Sequence, residues 1–252
     1  MYRGALMLNV TARQELMRTI VDTLGVVVEE ARLDFGENGL SVRVVDPSHV
    51  AMIKMEVDSA AFDGWEVDET KLGLEMRKLK EIVGIAGAGD MVELAYNDES
   101  GQATINIGRI DLNLRPLDNS TLNPPKEPAI DLPCGVTIAG SELAQALRAA
   151  KMAGDLVNLS ITDSSFAVNV KGSTDEVNVE FSKDELTAID CSDAARSQYS
   201  LTYLTPMAKI FHGIENVNLR FGENLPLKLT FDFSDGAGHV EYFLAPRVEG
   251  DF

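Results

Sequence analysis

Residues Leu117 to Pro133, "LDNSTLNPPKEPAIDLP", lie near the middle of a 252-residue chain, and counted from Pro116 the segment holds five of the nine prolines. Proline fixes φ and lacks an N–H, so such a run continues neither a helix nor the interior of a sheet. It reads as an extended connector. What it connects are two flanks with the same series of elements. Upstream, a short strand "MLNVT" leads into the amphipathic helix "RQELMRTIVDTL", followed by the alternating runs "VVVEEARLDF", "LSVRVVD" and "VAMIKMEV". Downstream, "CGVTIAG" leads into "SELAQALRAAKM", then "LVNLSIT", "SFAVNVK" and "EVNVEFS". A second helix follows in each half, "EMRKLKEIVGIAG" and "TPMAKIFH". After it come the strand runs "MVELAYN" and "ATINIGRIDLNL" in one half, and "NVNLRFG", "PLKLTFDF" and "HVEYFLAP" in the other. Turn signals "GENG", "NDESG" and "SDGAG" separate the strands. The chain is a duplication of a two-helix unit on mostly antiparallel sheet, an α+β fold with domains at 1–115 and 134–252 joined by a connector at 116–133.

Composition narrows the function classes. A 45% hydrophobic content supports a real core, and 40 acidic against 22 basic residues give a formal charge of −18. That charge repels polyanions unless the basic groups are concentrated. No run of 18 apolar residues occurs and the N-terminus lacks a signal-peptide core, so the expected location is cytoplasmic or nuclear, not secreted and not membrane-bound. Cys134 and Cys191 lack CxxC spacing and are expected to be buried free thiols.

Four stretches carry a family likeness: "VVDPSHVAMIKM" (Val44 to Met55), "GAGDMVEL" (Gly87 to Leu94), "PLKLTFDF" (Pro226 to Phe233) and "GHVEYFLAPRV" (Gly238 to Val248). Through them the chain resembles the archaeal and eukaryotic DNA polymerase sliding clamp family, proliferating cell nuclear antigen, from about Met7 to Val248. Met1 to Leu6 read as an extension. The resemblance implies a DNA-clamp fold, with helices inside and sheets outside, and a trimeric ring that encircles duplex DNA without reading its sequence. It also implies an edge strand within 103–114 that pairs with the edge strand 175–182 of the next subunit. The interface residues would be Ile105, Ile107 and Ile110 on one edge and Val177, Val179 and Phe181 on the other. No cofactor or metal is implied.

The charge distribution suits that role. The helical segments 13–24, 75–86, 141–152 and 202–212 carry 0, +1, +1 and +1, a total of +3 in a chain of −18. At helical spacing the basic side chains lie opposite the apolar faces. Arg18, Arg148 and Lys209 match positions where the family presents basic residues to DNA, and Arg77, Lys78, Lys80 and Lys151 extend the set. Few phosphate contacts keep the salt dependence shallow and leave a ring free to move.

The resemblance also implies a hydrophobic pocket that receives a short motif from DNA polymerase, clamp loader, flap nuclease or ligase. Carried over, it places Val45, His49, Val50 and Met52 with Leu122 and Pro125 of the connector. Ser200, Tyr203 and Pro226 belong to it as well, with the run Phe243, Leu244, Ala245, Pro246 and Arg247. Leu122, an apolar residue among "STLNPP", is expected to stand clear of both cores and to serve recognition. Two other readings stay open: a subunit of a hetero-oligomeric or checkpoint-type clamp, and a duplicated α+β enzyme. Against the enzyme, "GIAGAGD" follows a helix and precedes a strand, the reverse of a phosphate-cradling loop, and no GxSxG, HExxH or Walker lysine motif occurs.

Overall fold

The structure, a computed structural model, describes residues 7–248; the reading of Met1 to Leu6 as an extension lies outside it. In the first half the chain runs β1 (Leu8–Arg13), α1 (Gln14–Leu24), β2 (Glu30–Gly36), β3 (Gly39–Val45), β4 (Ala51–Asp58), β5 (Gly64–Val67) and β6 (Thr70–Glu75). It continues through α2 (Met76–Val83), β7 (Met91–Asn97), β8 (Gln102–Ile107) and β9 (Ile110–Leu114). The second half repeats the series: β10 (Cys134–Ile138), α3 (Gly140–Ala153), β11 (Leu156–Ile161), β12 (Ser165–Lys171), β13 (Glu176–Ser182) and β14 (Ala188–Asp190). It closes with β15 (Ala195–Ser200), α4 (Leu201–Phe211), β16 (Val217–Phe221), β17 (Leu227–Phe233) and β18 (Gly238–Leu244).

Strand order makes the duplication explicit. The first half is ordered β5-β1-β7-β8-β9 and β6-β2-β3-β4; the second is ordered β14-β10-β16-β17-β18 and β15-β11-β12-β13. Individual backbone bonds recur too. Phe62 N–H donates to the Ser59 carbonyl as Leu186 N–H does to Lys183, and Leu117 N–H donates to Gly73 as Arg247 N–H does to Gln198. No side chain caps any of the four helices. Instead a backbone carbonyl accepts from the first residue of each, Asp90 for Gln14, Glu29 for Met76, Ile214 for Gly140 and Asp155 for Leu201, and so satisfies a donor that the helix leaves orphaned.

By packing the chain forms two compact units. One comprises Met1–Pro47, Ile53–Lys126 and Phe233–Val240, and the other comprises Ser48–Met52, Glu127–Asp232 and Glu241–Phe252. In the first, α1 lies beside α2 and buries Leu16, Ile20 and Leu24 with Leu79 and Val83. In the second, α3 lies beside α4 and buries Leu143, Leu147 and Ala150 with Leu204 and Phe211. Strands alternate buried and accessible residues, as one-sided sheets under helices require.

Two edges are left without a strand partner among the described residues, β9 beside β8 and β13 beside β12. Their counterparts in the repeat, β18 and β4, are hydrogen-bonded neighbours. Within the first unit Asp58 N–H donates to the Ala237 carbonyl, and within the second Ala245 N–H donates to the Val50 carbonyl; both bonds fit one antiparallel register.

The structure corrects three sequence expectations. "ATINIGRIDLNL" is not one edge strand: Gly108, at φ 60°, turns it into β8 and β9. Ile105 and Ile107 therefore lie buried on β8, which pairs with both β7 and β9, and only Ile110 is on the edge. Cys134 and Cys191 are not free thiols. β10 and β14 pair with Gly135 opposite Asp190, which brings the two cysteines face to face at a Cα separation of 4.3 Å, and their sulfurs are bonded. β14 has three residues, too few to announce itself by alternation. Finally, the connector is more than an extended tether, because its first part packs on β6.

Candidate docking site and DNA-facing helices

In the second unit, the Ala245-to-Val50 bond holds the end of the chain against the start of β4, and the Arg247-to-Gln198 bond lays it along the outer edge of β15. The segment Ala245–Pro246 is thus fixed at both ends with its side chains half-exposed, and Val50 and Tyr203 are half-exposed as well. Tyr242 Oη donates to the Tyr203 carbonyl at 3.2 Å, joining β18 to α4. His49 is exposed and adopts φ 56°, so the residues before β4 turn sharply outward. Met52, Ser200, Phe243 and Leu244 are buried beneath this surface, Leu244 completely. The Lys228 ammonium sits 5.3 Å from the centre of the Phe243 ring and pairs with Glu241. Pro226 follows Leu225, whose carbonyl accepts from Ser197 Oγ at 3.2 Å and Tyr199 Oη at 2.7 Å. Burial pushes the Tyr199 hydroxyl up from the usual tyrosine range, so it remains a donor throughout neutral pH.

In the first unit the connector folds onto β6. Leu117 N–H donates to the Gly73 carbonyl, Asn119 Nδ2 donates to the Lys71 carbonyl at 2.7 Å, and Asp118 accepts from the Ser120 N–H. That bond holds the Asp118 carboxyl below the usual carboxylate range. A Cβ placed on Gly73 would lie 2.9 Å from Leu122 Cδ1, 3.0 Å from Asn119 Oδ1 and 3.1 Å from Leu117 Cβ. Leu122 is therefore half-buried over a bare patch of backbone, outside the core but resting on β6. Val45 and Pro125 also belong to this unit, both half-buried.

All seven basic residues expected to face DNA are exposed on their helices: Arg18, Arg77, Lys78, Lys80, Arg148, Lys151 and Lys209. Several are already paired. Asp22 accepts from Arg18 at 3.5 Å and from Lys80 at 2.8 Å, Arg77 lies 3.6 Å from Glu75, and Lys151 pairs with Asp155. Arg148 and Lys209 are different. They flank a cavity of about 310 Å³ between α3 and α4 with His212 and Thr205, and among the described residues neither is in an ion pair.

The first half matches the model of the proliferating cell nuclear antigen N-terminal domain over residues 7–111, and the second matches the C-terminal domain model over 126–247. The chain belongs to the proliferating cell nuclear antigen family. It is similar to the DNA polymerase sliding clamps of Methanosarcina barkeri, 34% identical across 97% of this chain and 100% of that one, and of Halobacterium salinarum, 34% identical across 94% and 97%. Among solved structures it resembles "A. fulgidus PCNA" bound to the C-terminal region of FEN-1, with TM-score 0.91 and 29% identity over 97% of this chain and 100% of that one. The PCNA of Thermococcus kodakaraensis shares the fold, with TM-score 0.88 and 20% identity over 95% and 100%.

As a member of the proliferating cell nuclear antigen family the protein is a DNA sliding clamp, a non-enzymatic processivity factor that works on DNA with polymerase. No described helix is long and apolar enough to cross a membrane. Two features of this clamp escape sequence reading. Asp22, which gathers Arg18 and Lys80, comes from one helix while its second partner comes from another. Gly73, in "TKLGLE", sits on a strand whose pattern is broken, and an isolated glycine there signals the close approach of another backbone.

Proposed function

We propose that three copies of the chain close head to tail into a ring around duplex DNA, and that the surface around Val50, Tyr203, Ala245 and Pro246 tethers replication enzymes. The observation that carries this reading is the asymmetry of edges. In a duplicated chain, β4 and β18 are joined while the equivalent edges β13 and β9 remain open. A second copy offers each open edge the partner that its equivalent already has, and a head-to-tail contact repeated by rotation closes into a ring. Three copies is the number the family likeness supports. Arg148 and Lys209, in no ion pair among the described residues, would then meet phosphates from inside together with Lys78, while Arg18, Arg77, Lys80 and Lys151, already paired, contribute weakly.

The tether is a pocket for a short hydrophobic segment. Within the second unit, Val50, Tyr203 and Pro246 supply half-exposed apolar surface, Met52 and Phe243 buried apolar side chains, and His49 and Arg247 exposed polar ones. Support comes from the FEN-1 segment named with the A. fulgidus clamp, which makes a flap nuclease a partner to expect alongside polymerase, clamp loader and ligase. Archaeal relatives support a cytoplasmic site of action. Loading onto nicked circular plasmid tests the reading. The clamp should co-elute with the circle at moderate salt and be lost when the circle is cut, whereas equal retention on both would remove enclosure as the mode of binding.

A further inference from the structure

Beyond the hydrophobic surface, the second unit holds a polar cleft of about 370 Å³ that no apolar motif would fill. Its walls are Asn158 on β11, Arg196 to Gln198 on β15, the Glu223–Asn224 turn, and Arg247 with Val248 at the end of the described chain. The turn is tied to Arg196 through both backbone groups: Arg196 N–H donates to Glu223 Oε2 at 2.8 Å, and Asn224 N–H donates to the Arg196 carbonyl at 3.3 Å. Asn224 adopts φ 53°, a conformation asparagine tolerates, so the turn closes without glycine. The Arg196 guanidinium is steered by Nε donating to Asn158 Oδ1 at 3.3 Å, and Arg247 is anchored by its own N–H on the Gln198 carbonyl. Among the described residues neither arginine is in an ion pair, although the chain carries 40 acidic side chains. An oriented Arg196 guanidinium with Arg247 beside it in the same concave site, neither of them in an ion pair among the described residues, forms a receptor for carboxylates, which arginine binds through paired N–H donors.

We propose that this cleft binds acidic side chains flanking the hydrophobic motif of a partner protein. The inference rests on the docking reading above and deepens it. Continuity selects the occupant: one residue separates Arg247 from Ala245, so a segment lying on Ala245 and Pro246 reaches the cleft with its next few residues. Nucleic acid is the less favoured occupant, because the uncommitted basic groups of α3 and α4 line a different cavity. Glu223 at the rim limits the attraction and makes it selective for a carboxylate that Arg196 and Arg247 can reach together.

Calorimetry with three peptides tests the proposal at low salt: one with an aliphatic residue followed by paired aromatics and neutral flanks, and two with an Asp-Glu pair added at one end or the other. One acidic peptide should bind wild type roughly threefold to tenfold more tightly than the neutral one, the scale of partly exposed ion pairs. Arg196→Gln keeps the backbone bonds to Glu223 and Asn224. It should abolish most of that gain while leaving neutral-peptide affinity and the melting temperature unchanged. Equal affinities of all three peptides for wild type, or a gain that survives Arg196→Gln, overturns the cleft's role and leaves the docking reading standing. If no peptide binds wild type, both fall. Displacement of the acidic peptide by a short single-stranded oligonucleotide, with the same loss in Arg196→Gln, reassigns the cleft to nucleic acid and also overturns the proposal.

Discussion

Gly73 and Asp22 show how single residues set this clamp's behaviour. The bare backbone of Gly73 is what allows Leu117, Asn119 and Leu122 to lie on β6. Gly73→Ala places a methyl group inside contact distance of all three, an overpacking that costs about 1 to 3 kcal/mol. The expected result is a lowered denaturant midpoint, since the methyl group pushes Leu117, Asn119 and Leu122 off β6. Leu122→Ala, by contrast, loses about 1 kcal/mol of stability, in keeping with a half-buried side chain. A Gly73→Ala variant with an unchanged midpoint would show that the connector does not need β6. Asp22 neutralises two of the cations expected to face DNA. Asp22→Asn should release Arg18 and Lys80, tighten duplex binding severalfold at low salt and steepen its salt slope by roughly one to two units, at about 0.9 per added phosphate contact. A salt titration of fluorescent duplex reads both, and an unchanged slope would mean that α1 and α2 do not touch DNA.

At the scale of elements, helices and long strands were legible because their periodicity is strong. α1 and α3 fall where "RQELMRTIVDTL" and "SELAQALRAAKM" place them, and β2, β3, β11 and β12 follow from clean alternation. The rest was hidden for physical reasons. β5 and β14 have four and three residues, shorter than any pattern can declare. β6 and β15 bury consecutive residues instead of alternate ones, because their outer edges are covered by the connector and the chain end. The two-residue turn at Gly108 and Arg109 shifts the apolar alternation by a single position, from Ala103, Ile105 and Ile107 to Ile110, Leu112 and Leu114, a break small enough to be read through as strand. For the docking surface, the family likeness named the residues, and the geometry shows half-exposed side chains over a buried floor. The repeat itself makes a prediction that neither half makes alone. Transferring the β4–β18 register to the open edges sets Arg115 N–H on the Thr174 carbonyl of a second copy and puts Ile110 opposite Val179. Ile110→Cys paired with Val179→Cys in one chain should therefore yield covalent oligomers on mild oxidation, read on a non-reducing gel. Exclusively monomeric bands would reject this register.

For the whole molecule, the central claim is that copies join through β9 and β13. β13 is seven residues long, presents Val177 and Val179 half-exposed, and stacks Phe181 on Phe166 at a centroid distance of 6.2 Å. An open edge of that length on an otherwise charged protein is a liability unless something covers it. Proline at Val179 removes a ladder donor and disfavours the sheet, on the strand proposed for the interface and away from α1 to α4. Light scattering on size-separated protein, at several micromolar concentrations and two salt levels, measures the outcome directly. Wild type should have three times the chain mass of 27.4 kDa and Val179→Pro the mass of one chain, with circular dichroism showing that the variant is folded. A wild type that stays at one chain mass throughout, or a folded Val179→Pro that keeps the wild-type mass, would contradict it.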